Sequence, residues 1–346
     1  MNTLPLERNQ LHFDKTLVGI RGVSEGGAIC EFSDSTTAGP FDLIVGCDGI
    51  KSAVKDYINK GKISTDSSQR DGRATAIYSG IRVRFAVQDG DPTTDERKPL
   101  VELNSCFGDG GFSLNAIYGN GRDKPPSKAA FIIFLDENYL GPFRRKKPSS
   151  SSASSSDVAV AENADWSQDQ EKSIVDTRNR MLHQISKHDI RDPSISSVVA
   201  NADRFFELGV YFHNPISWAG WIKEVPSSGG TFTVLCGDAA HAMPPFLGQG
   251  ANQAVQDAFC LGKNIHFFNA ECRNKDMMYM ADDSKFKLKS WLKEYERTRW
   301  SPTAMITAKA ALLGYLETGG PNGFYSKFRD LFFKTLSIIG FPRCRF

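Results

Sequence analysis

One stretch constrains the fold more than any other: Thr231 to Ala258, TFTVLCGDAAHAMPPFLGQGANQAVQDA. The β-branched and apolar run Thr231 to Cys236 ends at Gly237, which predicts a buried strand. Pro244, Pro245, Gly248 and Gly250 forbid regular structure in the loop that follows. From Ala251 the pattern turns helical, with Ala251, Ala254, Val255, Ala258, Leu261 and Ile265 on one face. Strand, loop and helix in that order predict an α/β layer. Ligands of such layers sit beyond the carboxyl ends of the strands, where this loop lies.

The loop suits a large cofactor with a polar portion. Asp238 can accept hydrogen bonds from a ribose or polyol hydroxyl. Gly248 and Gly250 lack Cβ, so backbone can approach a flat ring. A helix starting near Gly250 presents free amides and a partial positive charge, which stabilise an anion or a ring that becomes anionic on reduction. The bland alternative is a capped strand-loop-helix connection. Gly-Asp-Ala-Ala-His, the double proline and Gly-Gln-Gly-Ala-Asn in register favour a ligand site.

The amino-terminal part holds a second strand end. Leu17 to Arg21, Ala28 to Phe32 and Phe41 to Val45 are strand-like, with a turn at Gly26-Gly27. The third runs into Gly46-Cys47-Asp48-Gly49-Ile50-Lys51-Ser52-Ala53-Val54-Lys55, a strand followed by Asp-Gly and a short helix.

These two motifs, in this order, resemble the fingerprints of the flavin-dependent aromatic hydroxylases. These are the p-hydroxybenzoate hydroxylase-like class A monooxygenases, which include zeaxanthin epoxidase-like and salicylate hydroxylase-like enzymes. The resemblance implies that Asp238 bonds the ribityl chain of FAD. It places Gly237, Pro245, Gly248, Gln249, Gly250, Ala251 and Asn252 against the isoalloxazine ring or its loop. Asp48, Gly49 and Ser52 match the other fingerprint, D-G-x-x-S-x-V-R, with Asp48 organising the loop near the pyrophosphate. Lys55 stands where the family often has Arg, keeping the charge without the planar fork. His241 is read as a structural residue of the turn, and no catalytic residue is assigned.

The rest of the chain is consistent with that class. Residues 73 to 140 are predicted as a mainly antiparallel sheet, with strands at Ala74–Val87, Leu100–Cys106, Phe112–Tyr118 and Ala129–Leu135. The resemblance implies that this sheet covers the substrate. Arg144 to Lys147 and the serine run to Ser156 predict a disordered insertion over about 144–165, with a serine-rich part that is dispensable. The basic run could touch anionic lipid or acidic protein, but a solvated linker is the better reading, so peripheral membrane contact stays open. Asp169 to His188 is predicted helical, Arg204 to Trp218 a strand, and Lys285 to Leu316 a long helix. Phe324 to Phe341 is an apolar, partly amphipathic end. His183 and His188, of six histidines, are read as surface residues without metal spacing.

At 346 residues, 40% apolar and 24% charged, the chain can bury a sizeable core. A net charge of +2 predicts no nucleic-acid partner. Seven scattered cysteines predict reduced thiols of an intracellular, cytoplasmic protein, with an organelle left open. No transmembrane segment is expected.

The expected fold is thus α/β: an incomplete Rossmann-like FAD-binding domain, an inserted mainly antiparallel β-sheet substrate domain and a C-terminal helical region. The expected boundaries are 1–70 and 226–268 for the FAD-binding parts, 71–225 for the substrate sheet and 269–346 for the C-terminal helices. The resemblance covers Leu17 to Leu316. No G-x-G-x-x-G unit opens the chain, which implies a truncated frame or a degenerate paralogue that binds FAD poorly on its own. The implied activity is FAD-dependent, NADH- or NADPH-driven monooxygenation of an aromatic or isoprenoid small molecule by O2. The alternatives are a non-catalytic remnant and a same-fold flavin-dependent isoprenoid reductase.

Overall fold

The computed structural model describes residues 11–64, 76–90, 102–118, 125–136, 170–216, 220–274, 281–319 and 325–338. The serine-rich insertion lies outside the described residues. The chain divides into two compact units. One is Met1–Ile77 with Tyr211–Ala310, the other Tyr78–Val210 with Ala311–Phe346.

The first unit holds two small sheets. Strands β1 (Leu17–Gly22), β2 (Ala28–Phe32) and β3 (Thr37–Phe41) form an antiparallel meander. Strands β4 (Leu43–Gly46), β10 (Ile222–Glu224) and β11 (Phe232–Leu235) form the second sheet, in the order β10-β11-β4. There β11 runs parallel to β4 and antiparallel to β10. The strand expected over Phe41 to Val45 is therefore two strands. β3 pairs with β2 and β4 with β11, so the chain changes sheets at Asp42. Pro40 sits on β3, an edge strand, where a missing amide donor is tolerated.

All four residues of β11 are buried, the expected state for a strand covered on both faces. Its cover comes from helices α1 (Ala53–Lys60), α5 (Gly250–Asn274) and α6 (Ala281–Glu317). Val54 and Ile58 of α1, Leu261 of α5, and Leu292 and Tyr295 of α6 share one core with Phe232, Val234 and Leu235. Burying each such side chain contributes about 1.5–3 kcal/mol. Between β11 and α5 lie the one-turn helix α4 (Asp238–His241) and a 3₁₀ turn, Pro245–Leu247.

The second unit is a five-stranded sheet in the order β6-β7-β8-β5-β9. Its strands are β5 (Ala76–Gln88), β6 (Glu102–Gly108), β7 (Gly111–Tyr118), β8 (Ser127–Leu135) and β9 (Arg204–His213). The β6–β7, β7–β8 and β8–β5 pairs are antiparallel. Helices α2 (Gln170–Lys187) and α3 (Pro193–Ala200) set Met181, Ile185, Ile195 and Val199 against Ala86, Ala130, Ile132 and Phe134. Elsewhere on the sheet Phe85 stacks on Phe131 and Phe206, with centroids 5.3 and 4.5 Å apart. His188, expected at the surface, is buried just past α2. Its Nδ1 donates to the Asp109 carbonyl at 2.7 Å, and its Nε2 lies 3.0 Å from the Gln184 side-chain amide. Helix α7 (Ser326–Ile338) completes the chain. Its Arg329 is buried and donates to the carbonyls of Gly108 and Glu317.

The unit boundaries at Tyr78 and Val210 differ from the expected 71 and 225, and α6 is divided between the units at Ala310. Among the described residues no helix is long and apolar enough to cross a membrane.

Candidate cofactor site

The two sequence motifs meet because β4 and β11 are neighbours. The parallel register pairs Leu235 with Gly46, and Cys236 N donates to Gly46 O at 2.9 Å. The strands therefore deliver Cys47-Asp48-Gly49 and Cys236-Gly237-Asp238 side by side at their carboxyl ends. Helix α1 packs directly on this end: a Cβ at Gly46 would stand 2.6 Å from Val54 Cβ. Lys55 ties the motifs together, its ammonium donating to Ala240 O at 3.1 Å.

The two aspartates do different things. Asp48 turns inward on its own loop, where Oδ2 accepts from Ala53 N at 2.7 Å and Val54 N at 3.3 Å. Ser52 Oγ accepts from Lys55 N at 2.9 Å, so two side chains satisfy the start of α1. Asp238 stands in the first turn of α4, exposed, and makes no side-chain hydrogen bond among the described residues. Its Oδ1 is 3.9 Å from where a Cβ on Gly250 would be, which places the carboxylate beside the start of α5.

Backbone conformation shapes the rest. Gly237 has φ 62° and ψ −141°, a region that residues with a Cβ avoid. Gly49 and Gly248 also have positive φ, and the space a Cβ would take at either is open. Pro245 begins the 3₁₀ turn, closed by Gly248 N donating to Pro245 O at 2.9 Å. In α5 the bond from Gln253 N to Gln249 O comes first, so the amides of Gly250, Ala251 and Asn252 precede the intrahelical ladder.

A buried polar network, not foreseen from sequence, holds this loop. Asp257 is 0% exposed. Its Oδ2 accepts from Gly237 N at 2.8 Å and His241 Nε2 at 2.6 Å, and its Oδ1 from Arg299 Nε at 2.7 Å. Burial works to raise the Asp257 pKa, but the bonds from His241, Arg299 and Gly237 prevail and hold it below the usual value. Arg299 also donates to the side chains of Gln253 and Gln256. The buried face of α5 is accordingly Gln253, Asp257, Leu261 and Asn264. The face expected to be buried is largely exposed, with Ala251 and Ala258 outside and Val255 70% accessible. The signal available in sequence was Gln253 and Asp257 four residues apart, with an arginine in the later helix.

Cys47 and Cys236 also meet at the strand ends. The hydrogen bond from Cys236 pulls the Cys47 thiol down to about 7, against burial and the charges of Asp48 and Asp257. The same bond, then burial, pushes Cys236 up. All six described cysteines are free.

This arrangement fits a flavin. It offers an exposed carboxylate without a protein partner among the described residues, three amides at a helix start, and open space over two glycines. Among the described residues no group of three or more potential ligands could hold a metal ion.

The fold is that of the FAD-binding monooxygenases. The profile of the FAD binding domain family matches residues 228–277, the strand-loop-helix just described. The FAD-dependent monooxygenase dmxR9 of Cryptosporiopsis sp. is 40% identical over 70 residues, 20% of this chain and 13% of that protein. Kynurenine 3-monooxygenase of Neurospora crassa is 38% identical over 69 residues, again 20% and 13%. The chain thus spans about an eighth of the length of these curated relatives. Klebsiella pneumoniae HpxO, solved with FAD and uric acid, aligns over 94% of this chain and 64% of its own, with a TM-score of 0.54 at 18% identity. A salicylate hydroxylase substrate complex aligns over 94% and 67%, with a TM-score of 0.53 at 16% identity.

Proposed function

We propose that the chain is the FAD-holding part of an NAD(P)H-driven monooxygenase, a hydroxylase or epoxidase acting on an aromatic or isoprenoid small molecule with O2. The observation that carries the reading is the pairing of the two strand-end motifs on adjacent parallel strands, with Asp238 unpartnered among the described residues beside the start of α5. Bound FAD would supply the electron transfer and oxygen activation; the protein binds, orients and excludes water.

The roles follow from the geometry. Asp238 takes a ribityl hydroxyl. Gly250, Ala251 and Asn252 turn their amides and the positive end of the α5 dipole to the ring edge that gains negative charge on reduction. Gly248 and Gln249 supply the backbone that lies against the ring, and Pro245 fixes the turn. Gly237 and Gly49 set the two loops, and Asp48 acts through its loop, since its carboxylate is committed to α1. Residues 1–70 and 226–268 are assigned to the cofactor, and the 71–225 sheet to substrate selection. The stacked Phe85, Phe131 and Phe206 favour a flat or apolar substrate there.

The test is a flavin fluorescence titration of the chain, Asp238→Ala and Asp48→Ala. Losing a charged acceptor for a hydroxyl weakens binding by about 1.5–3 kcal/mol, so Asp238→Ala should bind roughly tenfold to a hundredfold more weakly. Asp48→Ala should lower the melting temperature first. Equal FAD affinities for the two variants would remove the direct contact assigned to Asp238.

A further inference from the structure

The first unit contains a cavity of about 30 Å³ whose wall includes Lys55, Trp221, His241, Trp300, Thr303 and Thr307, and no carboxylate. Lys55 and His241 brace the loops of the flavin site proposed above without being placed against the flavin, and the other wall side chains have no role there. Lys55 is 9% exposed and forms no ion pair among the described residues. Its ammonium has the Ala240 carbonyl at 3.1 Å, a neutral partner. A lysine in the first turn of a helix also faces the positive end of the helix dipole. Buried ammonium groups are ordinarily paired.

His241 is the second unsatisfied group. It is 6% exposed, and its Nε2 donates to Asp257 Oδ2 at 2.6 Å. Asp257 also accepts from Gly237 N and Arg299, so it is the acceptor and Nε2 carries the hydrogen. The other ring nitrogen, Nδ1, is buried without a hydrogen-bond partner among the described residues.

The threonines on the wall add no donors. Thr303 Oγ1 donates to Arg299 O at 2.8 Å, and Thr307 Oγ1 to Thr303 O at 2.9 Å. The Lys55 ammonium and His241 Nδ1, on a wall that also carries His213, Asn214 and two indoles, match a small anion with two oxygens. A halide would meet only one of these two groups at a time.

We propose that this cavity binds a small carboxylate, with one oxygen on the Lys55 ammonium, the other against His241 Nδ1 with a proton taken up on binding between them, and the indoles of Trp221 and Trp300 as walls. Burial pushes Lys55 down to about 7 in the free protein. Above that pH carboxylate binding must therefore recharge the amine and take up a proton. The other titratable groups on the wall are His213 and His241.

The probes are formate, acetate and benzoate, added to the full chain without flavin, so that the outcome is separate from that of the proposed function. Tryptophan fluorescence with formate or acetate should change saturably. Calorimetry at pH 8 in two buffers of different ionisation heat should report proton uptake on binding. Lys55→Met, a change of similar volume, should weaken binding about tenfold to a hundredfold and remove the share of the uptake at Lys55, with the circular dichroism spectrum unchanged. His241→Gln should weaken binding while keeping uptake at Lys55. Absence of saturable binding, equal binding by Lys55→Met, or chloride or phosphate binding as tight as acetate would each overturn the assignment.

Discussion

At the residue scale, the two aspartates of the motifs look alike in sequence and are not alike in space. Gly-Asp and Asp-Gly each marked a strand end, and both strand ends are there. What local pattern could not tell is that Asp48 commits its carboxylate to the amides of Ala53 and Val54 while Asp238 has no side-chain partner among the described residues. That difference depends on which way the next helix starts. The cysteines make the same point. Seven scattered thiols gave no spacing signal, because Cys47 and Cys236 meet only through the β4–β11 register. The pair leads to a prediction. Cys47 is exposed with its thiol near 7, whereas Cys236 is buried and shifted upward. The thiolate is the nucleophile. Iodoacetamide at pH 7.5 should therefore modify Cys47 first, with Cys236 unmodified in the folded protein. Peptide mass mapping after short exposures decides it; modification of Cys236 at an equal rate would refute the pairing.

At the element scale, most strands and helices were legible, because β11 and the strands of the second unit carry the apolar, β-branched pattern that burial requires. Helix α3 and strand β10 were not foreseen, and nor were one strand break and one helix orientation. The break at Asp42 arises from pairing with two different sheets, which no single-strand pattern records. The buried face of α5 is rotated from the expected one: Leu261 is buried as the apolar spacing suggested, but the polar network turns Gln253, Asp257 and Asn264 inward in place of Ala251, Val255 and Ala258. Gln253, Asp257 and Arg299 look like solvated residues until their partners are known. This network invites a second prediction. In Asp257→Asn one oxygen becomes an amide NH2, a donor that must face Gly237 N–H, His241 Nε2–H or Arg299. Breaking one side of a buried charge pair costs about 3–5 kcal/mol. Urea unfolding of Asp257→Asn should show a loss of that order. A loss below about 1 kcal/mol would mean that the network contributes little, since ordinary surface changes are smaller still.

At the scale of the whole molecule, the shifted groups predict how stability varies with pH. His188 is held low by burial, chiefly, so it resists charging; its contribution is intact above 6.5 and falls away as pH drops below that value. Glu317 is pushed up to about 7 by burial, with Arg329 opposing. Its contribution is full below 4.5 and is lost as pH rises through 7. Near neutrality the two oppose each other, and above pH 7.5 both are nearly spent. Lys55 then dominates. Its amine is at about 7 when folded and 10.5 when unfolded, so between those values the unfolded chain holds one proton more. Stability must rise with pH there, by about 1.4 kcal/mol per pH unit for one proton. Cys47, about 7 folded against 9.0 unfolded, pushes in the same direction, with a smaller share because it is exposed. The four raised thiols, unfolded near 9.0, work the other way and take back a growing part of this rise as pH approaches 8.5. The third prediction is that the urea midpoint rises from pH 7.5 to 8.5 in carboxylate-free buffer, and that Lys55→Met is more stable at pH 7.5 and nearly flat across the interval. Cys47→Ser should remove only the lesser part of the slope. A wild-type midpoint that is constant or falling over that interval would mean that Lys55 is charged and solvated in the folded protein, and the cavity beside His241 would then lack the unpaired amine that sets it apart.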